Sequence, residues 1–244
     1  MPPTRLLYWQ DSYLRRFEGS ITRAEPDEKR FYYLVLNQTA FHPKIGGQPS
    51  DRGALRGPGF RLEIRKVMQV KDVLVHWGRA QEGEPHPGPV QGEIDWAWRY
   101  LLMRRHTAGH LLDHCLGVAA GRSMETLGSW LGDGCYVEYK GALPDSSILS
   151  QAAELERRMI AQGAEVTVEL VSKEELLRRA PQAPNIYRLP DLARYRIVTI
   201  RGCAPIPCSG THLGNVAEIG VLRILEAKPI EEGFRVYYDV EPRG

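Results

Sequence analysis

Long apolar runs are missing from this 244-residue sequence. No uncharged stretch approaches the roughly 20 residues that a membrane-spanning helix needs, so a helical membrane protein is excluded. Charge of one sign is missing as well. The 32 basic side chains face 30 acidic ones and leave a net charge of +2, which rules out a wholesale electrostatic grip on nucleic acid. Lysine is scarce, 7 against 25 arginines. Arginine is the better bidentate partner for phosphate, but genome composition or a hot habitat accounts for the same bias. Cysteine is limited to Cys115, Cys135, Cys203 and Cys208, with no tight paired spacing. The first residues, Met1-Pro2-Pro3-Thr4-Arg5, lack the apolar stretch of a signal peptide. Reduced thiols and a cytoplasmic location are therefore expected.

What is present is an ordinary globular mixture, 43% apolar and 25% charged, enough for one large domain or two smaller ones. The first ninety residues read as strands: Phe17 to Ala24, Phe31 to Leu36, Phe60 to Val67 and Val73 to Trp77. Short strands at this spacing predict a small β-barrel. The stretch Gly83-Glu84-Pro85-His86-Pro87-Gly88-Pro89 reads as a linker, which places the domains at 1–90 and 91–244. Beyond it, Trp96 to Ala119 and Ser147 to Gln162 are helical, the latter capped by Asp145 or Ser146. Met124 to Leu131 and Cys135 to Tyr139 read as a hairpin, and Val166 to Val171 as a strand. Ser172 to Glu175 reads as a capping box opening a short helix. Tyr195 to Arg201, Ala217 to Leu225 and Phe234 to Val240 read as further strands. Without regular βαβ alternation, this half is expected to be α+β.

Two clusters carry metal chemistry. His106-Thr107-Ala108-Gly109-His110 puts two imidazoles on one helical face, where residues four apart lie about 5–6 Å from one another. Cys208-Ser209-Gly210-Thr211-His212 follows the loop Ala204-Pro205-Ile206-Pro207. Three imidazoles and one thiolate form a coherent zinc set. His114 extends the helical series, so His110 with His114 is an alternative pair on spacing alone. Helical zinc proteases carry Glu beside the first His as general base; here Thr107 stands in that place. Four protein ligands also match a closed structural site, whereas a catalytic zinc keeps one position open. A third cluster runs from Asn37 through Thr39 to Pro43 and from Gly46-Gly47-Gln48-Pro49 to Gly53. It reads either as a turn-rich loop or as a polar loop offering Thr39 and Gln48 to a ligand, with backbone approach at Gly46 and Gly47.

Taken in order, these segments resemble the AlaX family of free-standing alanyl-tRNA editing proteins and the editing domain of alanyl-tRNA synthetase. The resemblance starts at Leu7-Tyr8-Trp9-Gln10-Asp11-Ser12-Tyr13-Leu14 and runs through Gln38-Thr39-Ala40-Phe41, Gly46 to Gly53 and Arg105 to Leu112. It ends in Cys208 to Leu213 and Glu218-Ile219-Gly220. The family loop has Gly where Ser209 stands here. The resemblance implies a metal site at His106, His110, Cys208 and His212, with one zinc ion per chain. It implies substrate-reading positions at Thr39 and Gln48. The fold it implies is an N-terminal small β-barrel followed by an α+β editing domain with antiparallel sheet and helices, in the medium-length form. The activity it implies is hydrolysis of Ser, and of Gly, wrongly esterified to alanine tRNA, with contact at the acceptor end. Arg104 and Arg105, next to His106, are the favoured phosphate contacts. Arg15-Arg16, Arg157-Arg158 and Arg178-Arg179 are further basic pairs, the last two flanked by Glu. Trp9, Trp96 and Trp98 are available for stacking or for core packing. A tRNA-binding module with a structural zinc, and a hydrolase for another mischarged tRNA such as that for threonine, are the competing functions.

Overall fold

The computed structural model describes residues 2–242 apart from 182, 184, 185, 187, 188 and 190. The chain divides into two compact units, Met1–Leu102 and Met103–Gly244. The first contains β1 (Arg5–Leu6), β2 (Arg16–Pro26), β3 (Phe31–Leu36), β4 (Gln38–Thr39), β5 (Gly53–Gly57), β6 (Phe60–Val70), β7 (Val73–Glu82) and β8 (Gly88–Ile94). Six of these close a barrel in the order β2-β3-β7-β6-β5-β8, while β1 and β4 pair in parallel.

Alternation drives the closure. Phe60, Leu62 and Ile64 point inward from β6; a register shift between Ile64 and Lys66 then hands the inward position to Val67. Such a bulge sharpens the local bend that a small barrel requires. Leu34, Leu55, Leu74, Ala80 and Val90 complete the interior from the other strands. Gly92 in β8 is glycine because of a close approach: a Cβ there would come within 2.1 Å of the Phe17 ring, which occupies that space.

Two of these strands, β5 and β8, differ from the sequence expectation. The segment read as a linker, Gly83 to Pro89, runs into β8, which pairs with both β2 and β5 and so closes the barrel. Gly88 and Pro89 lie at the very start of that strand, a place that tolerates a residue without an N–H.

A buried ion pair ties the glycine-rich loop to the first helix. Arg99 and Asp51 are both fully buried, and their side chains pair through Nε to Oδ1 at 2.9 Å and through a second contact, Nη2 to Oδ2. Two further guanidinium protons go to the carbonyls of Ser12 at 2.9 Å and Ala40 at 2.6 Å. Asp51 also accepts the His42 N–H.

The second unit contains most of α1 (Trp96–Ala120), which crosses the division between Leu102 and Met103. It continues with β9 (Thr126–Trp130), β10 (Tyr136–Lys140), α2 (Ser146–Gln162), β11 (Val166–Val171) and α3 (Lys173–Arg179). Then come β12 (Tyr195–Ile200), β13 (Ile206–Pro207), β14 (Val221–Ile230) and β15 (Gly233–Glu241). They form an antiparallel four-stranded sheet, β14-β15-β10-β9, and a three-stranded one, β11-β12-β13. This is the expected α+β arrangement, with antiparallel sheets and helices.

Asp145 occupies the N-cap position of α2 without a capping side-chain bond, and Ser172 caps α3 by accepting the Glu175 N–H at 3.2 Å. Ala217 to Leu225 is not one strand. Val216–Ile219 forms a 3₁₀ turn under a capping box in which Asn215 Oδ1 accepts the Ala217 N–H and Glu218 accepts the Asn215 N–H. Gly220 at φ +80° then redirects the chain into β14. The apolar alternation there belongs to two elements. Among the described residues, no helix is long and apolar enough to cross a membrane.

Glu156 on α2 is 1% exposed, and its Oε1 has no hydrogen-bond partner among the described residues. Burial raises its pKa from 4.5 to about 8. The native carboxyl holds its proton where the unfolded chain has lost it, so its contribution to stability is lost as pH rises from about 4.5 to about 8. Glu156→Gln is expected to flatten that fall and to raise Tm at pH 8 relative to the parent. Thermal melts across this pH range check it; parallel curves for the two proteins would count against it.

Candidate functional site

The second unit brings together the two histidine- and cysteine-bearing segments, a group that could hold a metal ion. α1 presents His106 and His110 one turn apart, with ring centroids 5.0 Å from each other. His212 brings its ring to 4.2 Å from His106 and 5.0 Å from His110. Cys208 Sγ lies 3.3 Å from His106 Nε2 and 3.3 Å from His212 Nε2. The four donor atoms all fall within 4.8 Å of one another. His114 is outside this group; eight residues from His106, it lies about 12 Å along the axis.

Local structure explains the convergence. The Cys208 loop is anchored by β13, whose Ile206 and Pro207 pair with Val198 and Ile197 of β12. The Arg196 guanidinium, almost fully buried, donates to the carbonyls of Cys208 at 2.9 Å and Gly210 at 2.6 Å. The Cys208 N–H returns a bond to the Arg196 carbonyl. On α1, Gly109 leaves room for Tyr238: a Cβ would sit 2.7 Å from its hydroxyl, which donates to the Arg105 carbonyl.

The polar partners fix which ring nitrogens face the centre. Thr107 Oγ1 lies 3.4 Å from His212 Nδ1 and accepts the Leu213 N–H at 3.1 Å. Asp113 Oδ2 lies 3.8 Å from His110 Nδ1, and its other oxygen accepts the Tyr139 hydroxyl at 2.6 Å. Both leave an Nε2 for the centre, the arrangement by which outer partners orient metal-binding imidazoles. His110 Nε2 is buried and has no hydrogen-bond partner among the described residues. Burial would raise the Cys208 thiol, yet the His106 and His212 imidazoles hold it well below its ordinary value. Burial would lower His110, but Asp113 and Cys208 bring it up to about 10. Burial, with His106 beside it, holds His212 well below the ordinary histidine value. A thiolate, three converging imidazoles and an orphaned buried nitrogen fit a divalent metal ion, which takes deprotonated ligands and releases their protons.

Thr107 and Asp113 are the residues that sequence reasoning did not assign. Asp113, three residues after His110, was within reach of the helical spacing rule; Thr107 needed the fold. Thr107→Val is expected to weaken metal affinity about 10–100-fold, read by competition with a chelator. Unchanged affinity would remove Thr107 from the site.

The expected substrate loop lies in the first unit. Thr39 is fully buried. Its hydroxyl bonds His76 Nε2 at 2.9 Å and accepts the Phe41 N–H at 3.1 Å. Burial lowers His76 to about 4, so this imidazole is neutral at physiological pH. Gln48 is also fully buried. Gly46 and Gly47 have φ +59° and +79°, and Ile45 and Gln48 exchange both backbone bonds around them. The left-handed backbone of a tight turn explains both glycines; Gly46 has open space beside it.

Arg104 and Arg105, expected at phosphates, are buried. Arg104 donates to the Ile219 carbonyl; Arg105 pairs with Asp239 at 2.9 Å and donates to the carbonyls of Leu131 and Gly132. Their charges are engaged inside the fold, which is why adjacency to His106 in sequence does not translate into exposure. Arg157, Arg178 and Arg179 pair with Glu154, Glu175 and Glu169. Trp96 and Trp98 carry the guanidinium groups of Arg15 and Arg52 over their rings at 4.2 and 4.0 Å. The other three cysteines are not part of the cluster; burial raises Cys135 to about 12 and Cys203 to about 11.

The family model described as tRNA synthetases class II (A) matches residues 11–98. Alanine–tRNA ligases from Metallosphaera sedula and Pyrobaculum neutrophilum are each 30% identical over 96% of the chain, which spans 25% and 26% of their lengths. The chain thus spans about a quarter of the ligases it matches. A different relative is of nearly the same length. An alanyl-tRNA editing protein AlaX-M from Methanosarcina acetivorans is 31% identical over 231 residues, 91% of this chain and 92% of that protein. On that near full-length match, the chain belongs to the AlaX family of alanyl-tRNA editing proteins.

Proposed function

We propose that the chain is a zinc-dependent aminoacyl-tRNA deacylase acting in trans. It hydrolyses serine, and glycine, wrongly esterified to alanine tRNA, and it carries one zinc ion held by His106, His110, Cys208 and His212. The observation that supports this most is the convergence of those four donors in a chain of the AlaX family. Zinc bound there supplies Lewis acidity toward the ester carbonyl. The protein's own part is positional. Thr107 and Asp113 hold two rings by their Nδ1 edges, and Arg196 fixes the loop that carries Cys208.

The task is physically sensible. A pocket for alanine cannot sterically exclude glycine and rejects an added hydroxyl by only about 10², whereas a site that must hydrogen-bond the hydroxyl discriminates by ~10⁴–10⁵. Thr39 supports such a site. With His76 Nδ1 donating to the Leu34 carbonyl, Nε2 accepts the Thr39 proton, and the Phe41 N–H takes one lone pair. One lone pair remains for the serine hydroxyl, a donor that alanine lacks. Gln48 is the second polar group of that loop, while Gly46 and Gly47 shape its turn. Thr39→Val is expected to erase most of the preference for seryl over alanyl esters. An unchanged preference in the folded variant would remove Thr39 from this role.

Arg104 and Arg105 support the site from within by fixing α1 to the Ile219 carbonyl and to Asp239. A structural zinc in a non-catalytic tRNA-binding module is the second reading, favoured by the wholly protein ligand set. Deacylation of Ser-, Gly- and Ala-charged alanine tRNA, with and without chelator, separates the two. Turnover of the seryl ester that disappears with the metal is expected; no turnover on any substrate would leave the module.

A further inference from the structure

We propose that the cavity beside His110 receives the terminal purine nucleoside of the charged RNA, with His114 as the side chain that orients it. This rests on the deacylase reading and deepens it. The cavity, about 520 Å³, lies within the second unit. The α1 residues His110, His114 and Val118 line one side; Val198, Cys203 and Ile206 line the other.

Its place follows from the ligand set. His110 belongs both to the donor cluster and to the cavity wall, and Ile206 is two residues from Cys208. In an aminoacyl ester, a single oxygen joins the carbonyl to the terminal ribose, so a carbonyl held at the donor cluster delivers ribose and base to the adjoining space. The cavity suits that occupant rather than the amino acid. A serine side chain has two heavy atoms and needs polar partners, whereas this space is of the size of small-molecule sites, largely apolar with a few polar groups.

His114 is the inward polar group that the metal site leaves unused. It is half-buried on α1, one turn past His110, and has no hydrogen-bond partner among the described residues. Burial lowers its pKa, so it stands as a neutral imidazole with one donor and one acceptor, complementary to a base edge or ribose hydroxyl. At the mouth, Arg122 is exposed, and its guanidinium has no ion-pair partner among the described residues, which suits the phosphate of the same nucleotide.

The test is an NMR titration of zinc-loaded full-length protein with adenosine 5′-monophosphate, together with Val118→Trp. Val118 is 57% exposed at the rim, so the bulkier ring can fill the cavity without entering the core. The nucleotide is expected to shift the Val118 methyl and His114 ring signals. Val118→Trp should weaken it at least about tenfold and raise KM for seryl-tRNA more than it lowers kcat. His114→Ala should raise KM likewise, with partial rescue by His114→Gln. Wild-type deacylation with no nucleotide response in the cavity overturns the inference and leaves the deacylase reading standing. A cavity response without deacylation of any charged tRNA overturns the deacylase reading and leaves a nucleotide site.

Discussion

Replacing Cys208 with alanine is expected to empty the metal centre and to cut deacylation of seryl-tRNA by at least about 100-fold, beyond the ~10–100-fold an outer partner carries. Cys208 is the only thiolate donor in the cluster, and its sulfur lies 3.3 Å from two of the three imidazoles. Without it, three imidazoles remain around a buried space, and the donor group itself holds no anion to balance a bound cation. Metal content measured on the purified protein checks the first half of this expectation and single-turnover deacylation the second. Cys135→Ala is the matched comparison: that thiol is buried and outside the donor group, so its metal content should stay near one per chain. A Cys208→Ala protein that retained stoichiometric zinc would exclude this ligand set.

The second large effect is structural. Arg99→Ala should destabilise the first unit by about 3–5 kcal/mol, because it strips a buried carboxylate of its partner. For a domain of this size that corresponds to a fall in Tm of more than about 10 °C. Asp51 would be left fully buried, and the Ser12 and Ala40 carbonyls would lose their donors. The double variant Asp51→Leu with Arg99→Met removes both charges together and is expected to cost less than Arg99→Ala alone. Calorimetry of the three proteins checks this. If the double variant were the least stable, mutual compensation would not be what holds Arg99 in place. Asp51 lies in the same glycine-rich segment as Gln48, so this pair also bears on how firmly the proposed substrate loop is held.

Much of this was legible from residues alone. Apolar–basic alternation located β6, because inward and outward positions of a small barrel differ sharply in polarity, while short apolar runs between turn residues located β3 and β7. The i, i+4 spacing put His106 and His110 on one face of α1, since helical geometry is local. The two barrel strands that escaped notice, β5 and β8, are short or glycine- and proline-rich. Their identity as strands comes from the partners that flank them rather than from their own pattern.

Three features lay beyond the sequence because long-range packing decides them. Arg104 and Arg105 look like surface phosphate contacts beside the metal helix, yet the carbonyl of Ile219 and the carboxylate of Asp239, more than a hundred residues away, draw them inside. The Thr39 hydroxyl reads as a free group until His76, on another barrel strand, is placed 2.9 Å from it. The choice between His106 and His114 as the partner of His110 is open on spacing alone. The sequence by itself determined the donor types, the barrel and the α+β character, all of which follow from local periodicity and side-chain chemistry. Only the tertiary structure decided which histidines meet Cys208, which arginines are buried and which threonines contact a histidine, because each depends on groups that are distant in the chain and adjacent in space.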